Sequence, residues 1–295
     1  MREFKRIWDP EWKMNPGKVV DPYRLDENLK LGTGYNPPRP ATRFAYPEDK
    51  GDFAHATLRC VGIGKCHDPH GSPTMCPSYQ AAREEKHSTR GRARLLFEML
   101  QGEVITDGWQ SEEVFDALDL CLACKGCTRD CPVGVDMPTC KSEFLYHHYQ
   151  SPRRRRPRYA YAFGYIDKAA RLASLAPELV NFATQTPGLR RLAKLAGGID
   201  RRRPLPEFAP MTLQQWFGQQ GGPANPSGRP VVLFPDAFNN YLHADVGVAR
   251  VEALEAAGWR VIMPDRHVCC GRPLYDYGFL DSAERYHVPA LPALA

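Results

Sequence analysis

The chain has 295 residues, enough for about two domains, with 43% hydrophobic residues, 25% charged residues and a formal charge of +5 at pH 7. No apolar run approaches the roughly 18 residues of a membrane-spanning helix, and the first residues contain no apolar signal-peptide core. We therefore expect a globular, cytoplasmic protein. Its ten cysteines should stay reduced and serve metal binding or redox chemistry rather than form disulfides.

Four segments differ in composition. Residues 1–45 mix proline, glycine and aromatic residues with little periodicity, whereas residues 46–150 hold eight of the ten cysteines and several helical patterns. Residues 151–225 are basic and punctuated by proline, and residues 226–295 have the pattern of an incomplete α/β unit. The sequence therefore predicts a mainly α protein with an α/β fragment at its C-terminal end.

Short polar residues at helix starts divide the cysteine segment into predicted helices, because their side chains cap exposed backbone N–H groups. The predicted helices run from Pro77 to Lys86, from Ser88 to Leu100, from Ser111 to about Leu120 and from Asp136 to about Tyr149. The third helix delivers Cys121 directly after its last turn.

The chemistry is concentrated in one run of cysteines. Cys121, Cys124, Cys127 and Cys131, the last followed by Pro132, have the spacing of ferredoxin-type 4Fe–4S ligands. The first three thiols wrap a tight loop around one cluster, while the fourth leaves toward a second cluster. Structural zinc sites more often use two ligand pairs separated by a long spacer. The run therefore predicts an iron–sulfur cluster.

A second run lies upstream and contains Cys60, Cys66 and Cys76. By the same spacing rule, Cys76 should complete the cluster held by Cys121, Cys124 and Cys127. Cys131 should in turn join Cys60 and Cys66 at the other cluster. Ile63 occupies the place of a middle cysteine, so this second cluster has only three evident thiolates.

The sequence leaves the fourth ligand of the second cluster open. Cys140, His67 or His70 would complete a 4Fe–4S cluster, and without such a ligand the site would hold a 3Fe–4S cluster. In a further alternative only one cluster exists, and Cys60 and Cys66 are buried thiols.

A segment with arginine at every second position, Arg90, Arg92 and Arg94, lies between the two cysteine runs. A cluster with its thiolates is an anion, so a buried guanidinium nearby would stabilise it. Equally, the arginines could form a solvated basic helix face. The spacing alone does not distinguish these two arrangements.

Residues 151–203 contain eleven Arg and two Lys against three acidic residues, and the charge is densest at Arg153–Arg156. The segment also has the pattern of interrupted amphipathic helices. It would suit a solvated helical linker or contact with an anionic membrane surface. Because no nucleic-acid-binding module is evident, we do not expect nucleic acid as the partner.

The last segment predicts one parallel βαβ unit. A buried strand over Val231–Pro235 is followed by a helix that ends at Gly258 and by a second strand over Trp259–Met263. One such unit is too small to bury both faces of a sheet. The domain therefore looks incomplete.

These motifs resemble the iron–sulfur portion of bacterial FAD-linked 2-hydroxy acid dehydrogenases. That group includes the glycolate oxidase iron–sulfur subunit, D-lactate dehydrogenases and fused D-2-hydroxyglutarate dehydrogenases. The resemblance is carried by Arg59–Leu100, with CPSY at Cys76–Tyr79 and EKHSTRGRAR at Glu85–Arg94, and by CLACKGCTRDCPVGVDMPTC at Cys121–Cys140. It implies a ferredoxin-like helical dicluster domain that passes electrons from reduced flavin to an acceptor.

The resemblance extends to both ends of the chain. Residues 4–18, which include an Asn-Pro-Gly-Lys turn, are similar to the close of an FAD-linked oxidase domain whose remainder is absent. Residues 231–271 are similar to the cysteine-rich CCG domain, but Ala237 replaces its lone cysteine and the downstream Cys-x-x-Cys is missing. We therefore expect Cys269 and Cys270 to be a reduced, unligated pair rather than part of a complete cluster. We also expect the chain to be part of a larger fused enzyme or one product of a split gene.

The resemblance thus predicts the electron-transfer module of an FAD-dependent 2-hydroxy acid dehydrogenase, with FAD carried by an oxidase domain or subunit as partner. No catalytic residue set is evident, and the chain alone should be inactive because it lacks a flavin domain. Residues 151–203 would contact a quinone pool or the inner face of the cell membrane. The alternative is a non-catalytic protein with a structural cluster, in which the arginine run binds nucleic acid.

Overall fold

The computed structural model describes residues 1–29, 31–32, 34–67, 75–264 and 268–287. Over these ranges the chain is mostly helical, as predicted. The α-helices are α1 (Arg2–Trp8), α2 (Phe53–Leu58), α3 (Pro77–Ala82), α4 (Thr89–Gln101), α5 (Glu112–Asp119), α6 (Gly126–Asp130), α7 (Met137–His148), α8 (Arg158–Gly164), α9 (Ile166–Ala173), α10 (Pro177–Gln185), α11 (Leu189–Gly197), α12 (Leu213–Gln219), α13 (Ala237–Tyr241), α14 (Ala244–Ala256), α15 (Arg272–Asp276) and α16 (Leu280–His287). The strands are β1 (Arg229–Val232) and β2 (Trp259–Ile262), and short 3-10 turns lie at Pro47–Asp49, Lys65–His67, Glu85–His87 and Gly108–Gln110.

The chain divides into two compact units, the first covering Met1–Pro40 and the second beginning at Ala41. In the first unit a buried carboxylate organises the turn after α1. Asp9 accepts hydrogen bonds from Lys5 Nζ at 2.8 Å and from the backbone N–H groups of Lys13 at 2.8 Å and Met14 at 3.0 Å. The hydrogen bond from Lys5 is the main cause that lowers the pKa of Asp9.

The core of the second unit forms where α2, α4, α5 and α7 pack together. Phe53, Leu96, Val114 and Phe144 are each at most 1% exposed. Burying a side chain of this size contributes about 1.5–3 kcal/mol. This core supports the loops that carry the cysteines.

Side-chain caps begin three of these helices where the sequence predicts them. Ser88, Ser111 and Asp136 each accept a hydrogen bond from the backbone N–H three residues on, at 2.9, 3.2 and 3.3 Å. The predicted helix from Pro77 ends earlier, at Ala82, because Arg83 adopts a left-handed backbone with φ of 57°. A 3-10 turn replaces its last residues.

The C-terminal residues form the predicted parallel βαβ unit, in which Val231 of β1 lies opposite Val261 of β2. The prediction of a buried first strand is wrong. β1 begins two residues earlier than predicted, and its Val232 is 61% exposed. The sheet has only two strands and packs against α14 through β2, so much of its surface stays uncovered, which explains this exposure.

Helices α15 and α16 pack against α7 of the cysteine segment. Tyr146 donates a hydrogen bond to Asp281 at 3.2 Å, and Arg43 pairs with the same carboxylate. Gly278 has φ of +67° and passes so close to the α7 backbone that a Cβ there would clash. Residues 272–287 are therefore packed against the cysteine-bearing part.

Helices α8 to α11 confirm the predicted interrupted helical pattern. Part of the preceding arginine run is used internally: Arg154 pairs with Glu112, and Arg156 donates to Gly278 O at 2.7 Å and lies 4.4 Å from the Phe279 ring centroid. Within the described ranges, no helix has the length and apolarity needed to cross a bilayer.

Candidate metal centre

The cysteine run begins at the end of α5 and continues into α6. Cys121 follows the last turn of α5, Cys127 lies inside α6, and Cys131 lies directly after it. Between them, Ala123 and Lys125 have left-handed backbones with φ of 48° and 62°. Non-glycine residues rarely adopt this conformation, which often marks a functional loop.

The thiols differ in exposure. Cys66, Cys76, Cys127 and Cys140 are buried, Cys60, Cys121 and Cys131 are half-buried, and Cys124 is exposed. Within the described part of the chain, no three His, Cys, Asp or Glu side chains converge closely enough to bind one metal ion. Two arginines of α4, Arg92 and Arg90, are close enough to the thiols to be influenced by their charge.

Arg92 is the first of these arginines and is only 2% exposed. Its Nε donates to Ala117 O at 2.6 Å, and a terminal nitrogen donates to Ser78 Oγ at 2.8 Å. Among the described residues it forms no salt bridge with a carboxylate. A buried guanidinium with only neutral partners is unusual, because desolvating a charge is costly unless an anion compensates it.

Four cysteine thiols act electrostatically on Arg92. Burial lowers the pKa of Arg92, and the opposing influence comes from the thiols of Cys121, Cys76, Cys127 and Cys124. These are the four residues that the sequence spacing assigns to one cluster. All four thus act on the same buried positive charge, and their assignment to one cluster stays a prediction.

Lys141 adds a second buried positive charge on the same side. It is 8% exposed, and its Nζ donates to Cys121 O at 2.7 Å and to Asp119 O at 3.2 Å. Burial lowers the pKa of Lys141, and the Cys121 thiol is the first influence that opposes this. Lys141 was not predicted as a site residue. Its only sequence signal is a single charge within the predicted helix that begins at Asp136. A thiolate-ligated cluster is an anion that would compensate both cations, so the residues fit such a group.

Arg90 occupies the corresponding place beside the other predicted set. Its guanidinium bonds to the Glu85 carboxylate at 2.9 and 3.1 Å, which is the main cause that raises the pKa of Arg90. The thiols of Cys66 and Cys60 act in the same direction. Arg94, by contrast, is 54% exposed and pairs with Glu98. Of the three arginines of α4, Arg90 and Arg92 thus lie near predicted cluster ligands, whereas Arg94 is exposed to solvent.

Cys66 and Cys76 are in direct hydrogen-bond contact. The Cys76 thiol is the main cause that lowers the pKa of Cys66 to about 6, and the shared proton raises the pKa of Cys76. The Thr89 backbone N–H also donates to Cys76 Sγ at 3.0 Å, at the start of α4. Thiolates are the form of cysteine that binds metals, so the lowered pKa of Cys66 favours iron binding by this pair. Its division between two clusters stays a prediction.

The identity of the fourth ligand of the second predicted cluster also stays a prediction. Ile63 is 58% exposed, and Cys140 is 1% exposed, with a pKa raised by burial. His67 stacks on Tyr79 with ring centroids 4.5 Å apart. His70 lies outside the described residues.

The Cys-Cys-Gly segment, residues 269–271, lies against residues 121–125, which we call the cluster loop. Cys269 is buried and Cys270 exposed, and the hydrogen bond between their thiols lowers the pKa of Cys270 to about 6. Arg272 donates to Ala123 O, and Cys270, Arg272 and Lys125 line a cavity of about 300 Å³. The expected unligated pair stays a prediction.

Comparisons with known proteins agree with this geometry. Residues 49–135 match the family described as a 4Fe-4S dicluster domain. The chain is 30% identical to D-2-hydroxyglutarate dehydrogenase of Pseudomonas putida over 95% of this chain and 31% of the relative. It is 27% identical to D-2-hydroxyglutarate dehydrogenase of Escherichia coli over 89% of this chain and 30% of the relative. It is 24% identical to the probable glycolate oxidase iron-sulfur subunit of Bacillus subtilis over 72% of this chain and 48% of the relative.

The chain spans about a third of the D-2-hydroxyglutarate dehydrogenases it matches. No solved structure is significantly similar to it. The resemblance seen in the cysteine motifs is confirmed: the match to a 4Fe-4S dicluster domain supports iron–sulfur binding, and the chain is similar to D-2-hydroxyglutarate dehydrogenase and to glycolate oxidase iron–sulfur subunits.

Proposed function

We propose that the chain is the iron–sulfur electron-transfer module of an FAD-dependent 2-hydroxy acid dehydrogenase, relaying electrons from reduced flavin to an acceptor such as a quinone. The observation that carries this proposal is the buried Arg92, which has no carboxylate partner among the described residues and is influenced by the thiols of Cys76, Cys121, Cys124 and Cys127. When bound, iron–sulfur clusters supply one-electron transfer. Oxidation of a hydroxy acid also needs a hydride acceptor, which the flavin of a partner domain would provide.

The roles of the residues follow from the two charge environments. Cys76, Cys121, Cys124 and Cys127 would hold one 4Fe–4S cluster beside Arg92 and Lys141. The second cluster would be ligated by Cys60, Cys66 and Cys131 near Arg90, whose charge Glu85 already balances. The second cluster is of the 4Fe–4S or 3Fe–4S type, depending on whether Cys140 or a histidine completes it.

The first unit has an apolar surface suited to a flavoprotein partner. Phe4, Ile7 and Trp8 of α1 are 67%, 73% and 68% exposed. Positions four, seven and eight fall on one face of a helix. Exposed apolar side chains grouped in this way commonly mark an interaction site. This face would dock on an FAD-linked oxidase domain.

The proposal is tested by supplying that domain in trans. The cluster-loaded chain is mixed under argon with an FAD-linked oxidase domain, and D-2-hydroxyglutarate, D-lactate or glycolate is added in parallel. Cluster bleaching in the visible spectrum should follow for one substrate only with both proteins present. The Trp8→Ala variant should slow the bleaching, whereas Trp216→Ala, a tryptophan of α12, should not. Bleaching without the flavin domain, or none with any tested domain, would contradict the proposal.

Residues 158–197 offer an apolar and basic surface for the inner face of the cell membrane. The exposed apolar side chains are Leu172, Leu175, Leu179, Phe182, Leu192 and Leu195, each more than 60% exposed. The same segment also carries several arginines. A helix surface of this kind binds anionic lipid through apolar burial and charge attraction.

Vesicle sedimentation tests the membrane contact. The chain should pellet with vesicles of phosphatidylglycerol and less with vesicles of phosphatidylcholine. Leu175→Glu should reduce binding, whereas Leu25→Glu, at a leucine that is 97% exposed in the first unit, should not. Equal sedimentation of all three proteins would reject this surface.

A further inference from the structure

A cavity of about 420 Å³ lies directly beside Cys121. It is walled by three parts of the chain: α5 with the cluster loop, α7 with the start of α8, and the C-terminal residues around α15. The lining includes Phe115, Cys121, Lys141, Tyr149, Tyr159 and Tyr277. A volume of this size is within the range of sites that bind small organic molecules.

Four aromatic side chains form part of the cavity wall, Phe115, Tyr149, Tyr159 and Tyr277. Tyr159 and Tyr277 meet edge to face, with ring centroids 5.9 Å apart. Each of these residues is half-buried. Such a slot suits a flat apolar ring system, because aromatic rings pack favourably at these separations.

Polar groups occur at few points of the lining. Lys141 holds its Nζ 2.7 Å from Cys121 O and presents a positive charge to the cavity. A cation favours a ligand with carbonyl oxygens and disfavours a cationic one. The carboxylate of Asp276, which lies 3.4 Å from Arg272 Nε, is a further lining group.

The cavity lies between the predicted cluster ligands and the segment proposed to contact lipid. One wall is Cys121, in the thiol set around Arg92. Another is Tyr159 of α8, the helix that begins the exposed apolar and basic segment. A ligand in this cavity would lie one side chain from a cluster ligand and next to the surface proposed to contact lipid.

We propose that this cavity binds a flat, uncharged electron acceptor of the quinone class. The inference rests on the proposed function, in which flavin-linked oxidation supplies the electrons. Reduction of the quinone to a hydroquinone takes two electrons, delivered one at a time, and two protons taken from water. Tyr159 and Tyr277 hold the ring, and Lys141 orients a carbonyl oxygen.

The test uses the full cluster-loaded chain and the small quinone menadione. Equilibrium dialysis of menadione against the oxidised protein measures binding without turnover. We expect Tyr159→Ala to weaken binding about tenfold, while Tyr159→Phe, which keeps the ring, stays within about twofold. Tyr161→Ala is the matched control, because Tyr161 is on the same helix but outside the cavity.

Reoxidation of the dithionite-reduced protein gives a second readout. Menadione should reoxidise the Tyr159→Ala protein more slowly than the wild type, while ferricyanide, which needs no specific pocket, should reoxidise both at the same rate. If Tyr159→Ala does not fold, photolabelling of the wild type with an azido-naphthoquinone replaces it. Label on peptides that contain Tyr159 or Tyr277 is then expected.

Equal menadione binding by the wild type and Tyr159→Ala, or photolabel confined to other peptides, would overturn the cavity assignment. Neither result would affect reduction by the flavin domain, which tests the proposed function separately. Conversely, menadione binding that depends on Tyr159 in a chain that no flavoprotein reduces would refute the proposed function and leave the cavity assigned.

Discussion

Arg92 Nε donates a 2.6 Å hydrogen bond to the carbonyl oxygen of Ala117, which fixes a buried guanidinium of α4 against α5. Cys121 follows at the end of α5, so this contact also sets the distance between the positive charge and the cluster loop. Because no carboxylate compensates Arg92 among the described residues, its charge remains available to the thiol set around it.

Replacement of Arg92 should lower the midpoint potential of one cluster. Reduction adds a negative charge, which a nearby cation stabilises, so Arg92→Gln should lower the potential by roughly 60–120 mV, equivalent to about 1.4–2.8 kcal/mol for one electron. An anaerobic titration followed by electron paramagnetic resonance measures the change. Arg94→Gln is the matched control, because Arg94 is exposed and paired with Glu98. Equal potentials in the two variants would contradict the assignment.

Removal of individual thiols should separate the two clusters. Cys124→Ala should reduce iron and sulfide by about half and destabilise its loop, because metal binding also contributes folding energy. Cys140→Ala distinguishes the alternatives for the second cluster. A change from a four-iron to a three-iron resonance signal would identify Cys140 as the missing ligand, whereas unchanged iron content and spectrum would exclude it.

The contact between Cys66 and Cys76 predicts a disulfide in the iron-free protein. Diamide should oxidise the two thiols to one disulfide, seen by mass spectrometry of peptides, while iron loading should protect them. The thiolate is the reactive form, and the pKa of Cys66 is about 6. The rate should therefore rise roughly tenfold between pH 5 and pH 7 and change little above that. Oxidation that first increases above pH 8 would contradict this thiolate assignment.

Glu143 should be important for stability, since its carboxylate is fully buried. It accepts hydrogen bonds from the backbone N–H groups of Arg43 at 2.9 Å and Phe44 at 3.0 Å. Glu143→Ala leaves these donors unpaired, so the free energy of unfolding in urea should fall by roughly 2–4 kcal/mol. Glu112→Ala, which removes an exposed partner of Arg154, should cost less than about 1 kcal/mol. Similar losses for both variants would contradict this role.

The sequence predicted the features that depend on local chemistry. The caps at Ser88, Ser111 and Asp136 were found because a side chain and a backbone N–H three residues away suffice to form them. The exposure of Val232 was not predicted, because burial depends on how many elements cover a sheet. The burial of Arg92 and the exposure of Arg94 could not be predicted from the sequence of α4 alone, since α5 and α3 provide the contacts that bury Arg92.

The cavity beside Cys121 could not be predicted from the sequence either. Its walls at Cys121, Tyr159 and Tyr277 meet only because α15 and α16 pack back against α7. No local pattern indicates contacts over such sequence separations. The ligand spacing, by contrast, is local and could be predicted from the sequence, whereas the assignment of the thiols to clusters stays a prediction.

The central claim is that these thiols hold iron–sulfur clusters, and metal analysis of anaerobically purified protein tests it most directly. Iron and acid-labile sulfide are measured per chain, together with zinc and the electron paramagnetic resonance spectrum after reduction. We expect a brown protein with iron and sulfide in near-equal amounts, about seven to eight of iron for two clusters, and a signal that appears on reduction. Stoichiometric zinc without sulfide would contradict the account.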